Sequence, residues 1–87
     1  FHVPLVFNVD LLDGDTVSLF PFSELMGTST GLQWPIDGLT LAPQGRVGTS
    51  NRALGPVHLR VNKPGLLALL PRRRLENVLD ALVGNSG

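Results

Sequence analysis

The chain has 87 residues and a mass of 9.3 kDa, which is the size of one domain. Seven Lys and Arg balance seven Asp and Glu, and this neutral balance argues against general nucleic-acid binding and against electrostatic docking on an anionic membrane. A hydrophobic content of 43% argues against disorder, and a chain without cysteine has neither disulfides nor thiolate metal sites.

Two β-rich stretches at the start of the chain predict an antiparallel hairpin. Residues 5–11 are rich in β-forming side chains, and residues 16–20 alternate between apolar and polar. Asp13 and Gly14 between them tolerate the positive φ that a tight hairpin turn requires. Pro21 ends the second stretch, because proline has no N–H to donate to a β-ladder.

The middle of the chain predicts short strands separated by turns. We expect residues 21–30 to be a polar connection and residues 31–35 to form a short strand that ends at a proline. Asp37 and Gly38 predict a second turn, and Thr40 then lies on a short returning strand.

The next third of the chain predicts two further strands. A loop is expected at residues 42–48, and residues 57–61 alternate strictly. A turn at residues 63–65 leads into residues 66–70, whose continuous apolar run predicts a strand buried on both faces or covered by a partner. Six or seven short strands together predict an all-β domain, an antiparallel β-sandwich or jelly-roll-like fold.

The hydrophobic period changes after Pro71. Apolar residues then recur at helical spacing, at Leu75, Val78, Leu79 and Leu82. They predict one amphipathic helix at about residues 73–83, ended by Gly84. The arginines at 72–74 favour a solvated helix start, although their charge has the wrong sign for the helix dipole, and an anion contact in a larger assembly is the alternative.

Signatures of catalysis are weak in this sequence. Residues 45–51 resemble a phosphate-binding loop but lack the lysine and the following helix. Composition alone allows a triad of Ser50, His58 and an aspartate, yet His58 lies on the outer face of an alternating strand, and no nucleophile elbow is present. The aspartates in residues 10–15 do not have EF-hand spacing, so a turn explains them better than calcium binding.

Two features point to ligand binding instead. Trp34 is the single tryptophan of a chain without tyrosine, and an indole face attracts a flat cationic ring by about 0.5–2 kcal/mol. An ordinary core tryptophan is the alternative. Residues 49–52 form a compact polar run whose hydroxyl and amide groups suit ring nitrogens or an amine. The alternative there is a loop that satisfies its own backbone.

Three segments in this order resemble the C-terminal domain of thiamine pyrophosphokinases: GDTVSLFP (14–21), TGLQWP (30–35) and GTSN (48–51). The resemblance covers residues 13–70, and the helix after Pro71 lies outside it. It implies a homodimeric enzyme that transfers pyrophosphate from ATP to thiamin with Mg²⁺, giving thiamin diphosphate and AMP. In that family an N-terminal α/β domain holds ATP and metal, and thiamin lies between it and the sandwich of the other subunit.

The resemblance also implies which residues bind the vitamin. Trp34 would stack on the thiamin rings, Ser50 and Asn51 would face the aminopyrimidine, and Thr30 and Leu32 would line the pocket. The chain has no clustered carboxylates and no nucleotide-binding sequence. We therefore expect a thiamin-binding and dimerisation domain that is inactive alone and holds no cofactor, while Mg²⁺ and ATP bind the α/β domain.

The small size of the domain fits this expectation. A domain of this length buries only roughly 60–65% of the surface of its unfolded chain, so it gains stability from a partner. Because the first residue is Phe1 rather than Met, we expect a fragment of a larger cytoplasmic protein without a membrane span. The alternatives are a free-standing sandwich that binds a planar or sugar-like ligand through Trp34, and a structural dimerisation domain in which Trp34 and residues 66–70 fill an interface.

Overall fold

The computed structural model of the chain describes residues 1–43 and 50–86, with side chains as far as residue 83. The strands are β1 (Val6–Val9), β2 (Thr16–Pro21), β3 (Leu25–Leu32), β4 (Thr40–Leu41), β5 (Asn51–Val61) and β6 (Leu66–Leu69). A 3₁₀ turn (Arg72–Arg74) then leads into α1 (Leu75–Ser86). The domain is an all-β sandwich with one C-terminal helix, as the sequence predicts.

The long strand β5 organises this sandwich, because it pairs with three other strands. Its C-terminal half has β1 on one edge and β3 on the other, so that Leu59 lies opposite both Phe7 and Ser29. Its first residues pair with β2, which in turn pairs with β6. All of these pairs are antiparallel. β5 therefore joins the two parts of the sheet that enclose the core.

The core consists of the inward-facing residues of these strands. β5 alternates strictly between buried and exposed positions, apart from half-buried Gly55, as a strand with one buried face requires. Phe7, Leu19 and Leu66 are at most 1% exposed. Full burial of a side chain of this size contributes about 1.5–3 kcal/mol, so the sandwich is held together mainly by its interior.

The predicted hairpin between the first two strands is wrong. Both strands form, and the chain turns at Asp13 and Gly14, where Gly14 has φ 96°. However, β1 pairs with β5, and β2 pairs with β5 and β6. This pairing places Phe7 and Val17, both buried, in the shared core. Each strand thus pairs with partners that are distant in the sequence instead of with its neighbour across the turn.

The predicted polar connection at residues 21–30 is also wrong, because β3 occupies most of it. The predicted strand at 31–35 likewise ends at Leu32. Leu25 and Ser29 face inward, but a shift of register between Thr30 and Leu32 interrupts the alternation. This β-bulge hides the two-residue period from sequence analysis. The short returning strand is confirmed as β4, which pairs with β3.

Strand β6 has one buried face. Leu66 and Ala68 face the core, whereas the side chain of Leu69 is 55% exposed. The prediction of a strand buried on both faces is therefore wrong for this chain, and a covering partner remains a prediction. Residues 44–48 of the predicted loop at 42–48 lie outside the described part of the chain.

The arginines before the helix are not simply solvated. Arg73 and Arg74 donate hydrogen bonds to the two carboxylate oxygens of Asp15, at 2.9 and 2.6 Å. Asp15 is 2% exposed and also accepts the Leu12 N–H at 3.0 Å. The bond from Arg74 is the main reason that the pKa of Asp15 falls from 3.8 to about 2, with Leu12 and Arg73 acting in the same direction against desolvation.

The helix α1 packs on the sandwich through one side. Val78 is buried and Leu82 packs against the core, as the helical spacing predicts. The prediction is wrong for Leu75 and Leu79, which are 55% and 51% exposed, because the helix packs through Val78, Ala81 and Leu82 instead. The helix is longer than predicted and continues past Gly84. Within the described residues, no helix has the length and apolar character to cross a membrane. The cytoplasmic location remains a prediction.

Candidate functional site

Trp34 follows the end of β3 and projects from the surface. Its side chain is 56% exposed, so it is not the core tryptophan of the alternative interpretation. The main chain before it continues the β-ladder, since the Gln33 N–H donates to the Arg52 carbonyl at 2.8 Å. An indole with an open face on a well-bonded main chain is suited to stacking on a flat ligand.

The side chain of Asn51 holds the main chain of Trp34 at both polar groups. The Trp34 N–H donates to Asn51 Oδ1 at 3.2 Å, and Asn51 Nδ2 donates to the Trp34 carbonyl at 2.7 Å. Asn51 Oδ1 accepts a further bond from the Arg52 N–H at 2.8 Å. Asn51 is only 6% exposed, so these bonds are shielded from water.

A second set of bonds fixes the chain just after Trp34. Ile36 is 2% exposed, and its N–H donates to Ser29 Oγ at 3.0 Å. The Ser29 N–H donates in turn to Asp37 Oδ1 at 2.9 Å, and the Leu39 N–H donates to the Ile36 carbonyl at 3.1 Å. Residues 33–39, which we call the Trp34 segment, are therefore anchored on both sides of the indole.

Sequence analysis missed Ser29, Ile36 and Asp37 as parts of this site. The Asp-Gly pair at 37–38 signals the turn that Leu39 closes, and this signal was available. The contact of Ser29 with Ile36 joins residues on opposite sides of the bulge, and no spacing rule in the sequence reveals it.

Gly31 provides the bend that carries the chain from β3 to Trp34. It has φ 85° and lies within the β-bulge, where Leu32 comes opposite Ala53. A Cβ atom at this position would collide with the carbonyl oxygen of Pro56. Glycine is required here both by the positive φ and by the close approach of β5.

The structure brings three of the predicted site residues together. Trp34 is bonded to Asn51, and Ser50 directly precedes Asn51. Ser50 is exposed and has φ 64°, the one positive φ outside glycine among the residues described. Left-handed backbone costs a non-glycine residue about 1–2 kcal/mol, and such strain is concentrated at functional sites.

The other two predicted residues lie elsewhere. Leu32 is next to the Trp34 segment, but its side chain is in the core and 3% exposed. Thr30 is exposed on the other side of the bulge and lies opposite His58. Contact of any of these residues with a ligand remains a prediction.

The competing catalytic interpretations find little support. Ser50 precedes β5, and the seven steps from Asn51 to His58 along the strand span about 23 Å, so Ser50 and His58 cannot form a triad. His58 is exposed as predicted, with Nδ1 2.7 Å from Asn8 Oδ1. The loop resembling a phosphate site at 45–51 lies mostly outside the described residues. Within them, no three Asp, Glu or His side chains are grouped closely enough to bind a metal ion.

These features define a small antiparallel β-sandwich that presents one anchored, exposed indole, the geometry of a module for a flat ligand. Residues 4–66 match the family model described as thiamin pyrophosphokinase, vitamin B1 binding domain. The chain therefore belongs to the thiamin-binding domains of the thiamin pyrophosphokinase family, as the resemblance implied. A search of curated proteins finds no match, and a search of solved structures finds none either.

Proposed function

We propose that the domain binds thiamin by stacking of Trp34 on the cationic rings of the vitamin, as part of a thiamin pyrophosphokinase. The observation that carries this proposal is that Trp34 is 56% exposed while its main chain is held by Asn51. Family membership supplies thiamin as the ligand.

The energetics of the site suit this ligand. The thiazolium ring of thiamin has a fixed positive charge, and an indole face attracts such a cation by about 0.5–2 kcal/mol. Because the main chain at Trp34 is already ordered, only the side chain must still be immobilised on binding, at a cost of about 0.5–1.5 kcal/mol. The Ser50 hydroxyl then bonds to the aminopyrimidine, whereas Leu32, whose side chain is in the core, and Thr30, which lies across the bulge, are left out of the proposed site.

The first test uses the fact that Trp34 is the single tryptophan. Titration with thiamin should quench the indole fluorescence along a saturable curve. The matched probe is the thiamin analogue in which a neutral thiophene ring replaces the thiazolium; it keeps the aminopyrimidine and the ring substituents, lacks the fixed charge and should bind more weakly. Equal affinity for both probes, or a fluorescence that does not change with thiamin, would contradict the proposal.

The reaction proposed for the whole enzyme is transfer of pyrophosphate from ATP to the thiamin hydroxyl, with AMP as the leaving group. Mg²⁺ would neutralise charge on the phosphates. Because the described residues offer no acidic cluster for it, we assign Mg²⁺ and ATP to a separate α/β domain. The 87-residue chain should therefore release no AMP when mixed with ATP, Mg²⁺ and thiamin, and turnover in this assay would refute the assignment.

Dimerisation belongs to the same proposal. Leu69 and Leu75 are each 55% exposed and border an apolar groove of about 310 Å³ beside Phe1 and Leu70. A second copy of the chain would cover these side chains. Sedimentation should show a dimer that Leu69→Lys dissociates, whereas a monomer at high concentration would count against it. A dimer that does not bind thiamin would favour the purely structural alternative.

A further inference from the structure

The polar capacity of Asn51 is already used inside the protein. An asparagine amide has two acceptor and two donor positions. Both acceptor positions of Asn51 Oδ1 take backbone N–H groups, from Trp34 and Arg52, and Nδ2 donates to the Trp34 carbonyl. Three of the four positions are thus occupied on a side chain that is 6% exposed. Little remains for a ligand.

The same bonds fix the main chain from which the indole of Trp34 projects. Trp34 is 56% exposed, so packing around its side chain does little to fix the indole. Its orientation depends instead on the main chain at residue 34, where Asn51 bonds to both the N–H and the carbonyl. The nearest anchors on either side are the ladder bond of Gln33 and the bond from Ile36 to Ser29.

We infer that Asn51 is a positioning residue that acts on thiamin through Trp34 rather than by touching the vitamin. It fixes the main chain from which the indole projects, and the ring is thereby held ready to stack. The inference rests on the proposed function, because it assumes that Trp34 binds thiamin. It differs from the expectation that the Asn51 amide faces the aminopyrimidine.

The test combines two measurements on Asn51→Ala. The first is the long-wavelength near-UV circular dichroism of the free protein, which reports on Trp34 alone in a chain without tyrosine. The second is the thiamin affinity by calorimetry. A positioning residue predicts that the Trp34 signal falls by at least about half and that affinity falls about tenfold, the size typical of directly coupled residues.

Asn62→Ala is the matched control. Like Asn51, Asn62 accepts a backbone N–H at its Oδ1, here from Met26 at 2.9 Å. Met26 lies at the start of β3, far from Trp34, which follows the end of that strand. Asn62→Ala should leave both the circular dichroism signal of Trp34 and the thiamin affinity unchanged. If Asn51→Ala does not fold by far-UV circular dichroism, Asn51→Asp replaces it. That variant keeps the acceptor and removes the donor to the Trp34 carbonyl, and the same two results are expected.

Other outcomes overturn the inference. Weaker binding with an unchanged Trp34 signal would mean that Asn51 touches the vitamin directly. A lost signal with unchanged affinity would mean that thiamin binding does not depend on how Trp34 is held. Failure of the unsubstituted chain to bind thiamin would instead refute the proposed function, and this result is distinct from both of the others.

Discussion

The Trp34 segment and the C-terminal segment (residues 71–83) are both attached to the sandwich by polar side chains, but by different chemistry. The bonds to Trp34 itself come from the neutral amide of Asn51. The C-terminal segment is attached by charged groups, since Arg73 and Arg74 bind the buried carboxylate of Asp15. The first segment lies within the matched family region, and the second lies beyond residue 66, where that match ends.

Because of this difference, we expect ligand binding to depend mainly on the Trp34 segment and stability to depend strongly on the C-terminal segment. The amide bonds leave an aromatic ring exposed for a ligand, whereas the ion pairs help to hold a helix whose residue Val78 completes the core. Changes at the C-terminal segment should therefore lower the free energy of unfolding with little effect on thiamin binding. Replacement of the Trp34 side chain should show the opposite balance, with lost thiamin affinity and little change in the free energy of unfolding.

The largest expected effect is the loss of stability in Asp15→Ala. The substitution leaves two arginines and the Leu12 N–H without their acceptor. Removing one partner of a buried ion pair costs about 3–5 kcal/mol, and the exposure of Arg73 places the expected cost near the lower end of that range. Urea unfolding measures it. The exposed Asp80 on α1 is the control, because Asp80→Ala should change stability by less than about 0.5 kcal/mol. Equal costs for the two would mean that the ion pairs contribute nothing.

The next largest effect is the loss of stability when alanine replaces either of two glycines, Gly38 in the Trp34 segment and Gly31 just before it. Gly31 and Gly38 have similar φ, 85° and 78°, but only at Gly31 would a Cβ meet the Pro56 carbonyl, whereas Gly38 has open space around it. Gly38→Ala should cost about 1–2 kcal/mol for the backbone alone, and Gly31→Ala should cost about 1 kcal/mol more because β3 and β5 must separate. Urea unfolding of both variants checks this. Equal costs would refute the steric role of Gly31.

Acid should weaken the ion pairs that attach the C-terminal segment to the sandwich. The pKa of Asp15 is lowered from 3.8 to about 2 in the folded protein, so its stabilising contribution is complete above pH 3.8 and is lost as the pH falls toward 2. The loss is on the order of 1–2 kcal/mol after allowance for the exposure of Arg73. Unfolding measured against pH checks this, and Asp15→Asn should lack this part of the pH dependence. An unchanged profile in Asp15→Asn would contradict the assignment.

The smallest expected effect is that of Trp34→Leu on stability. Because Trp34 is exposed, its replacement should change the free energy of unfolding by less than about 0.5 kcal/mol. Thermal unfolding measures this, with loss of thiamin affinity as the accompanying result. A loss of several kcal/mol would show that the ring is a structural element.

The comparison also shows which features a sequence can reveal. Local periodicity identified β5 at residues 57–61 and the helix around Val78, because each pattern follows the geometry of one element. Periodicity did not identify β3, because the bulge at Gly31 interrupts its alternation. The hairpin prediction was wrong because β1 and β2 pair with strands that are distant in the sequence. The arginine run looked solvated because its acceptor, Asp15, is 58 residues away from Arg73 in the chain.

For the candidate site, the sequence indicated the residues but not the contacts between them. The motif order singled out Trp34, Ser50 and Asn51, and these residues do lie together. The way in which they meet could not be predicted, since the bonds of the Asn51 amide join it to Trp34, 17 residues earlier in the chain, and no spacing rule gives this contact. For the same reason the sequence did not reveal that Leu32 is in the core or that Ser29 bonds to Ile36.

An NMR titration of the ¹⁵N-labelled chain shows directly whether thiamin binds at Trp34. We expect thiamin to shift the indole N–H of Trp34 and the backbone amide of Ser50 more than other signals. The competing location is the polar groove of about 410 Å³ between β1 and α1, lined by His58, Asn77 and Asp80 among others. Shifts concentrated in that groove, with the Trp34 indole unchanged, would contradict binding at Trp34.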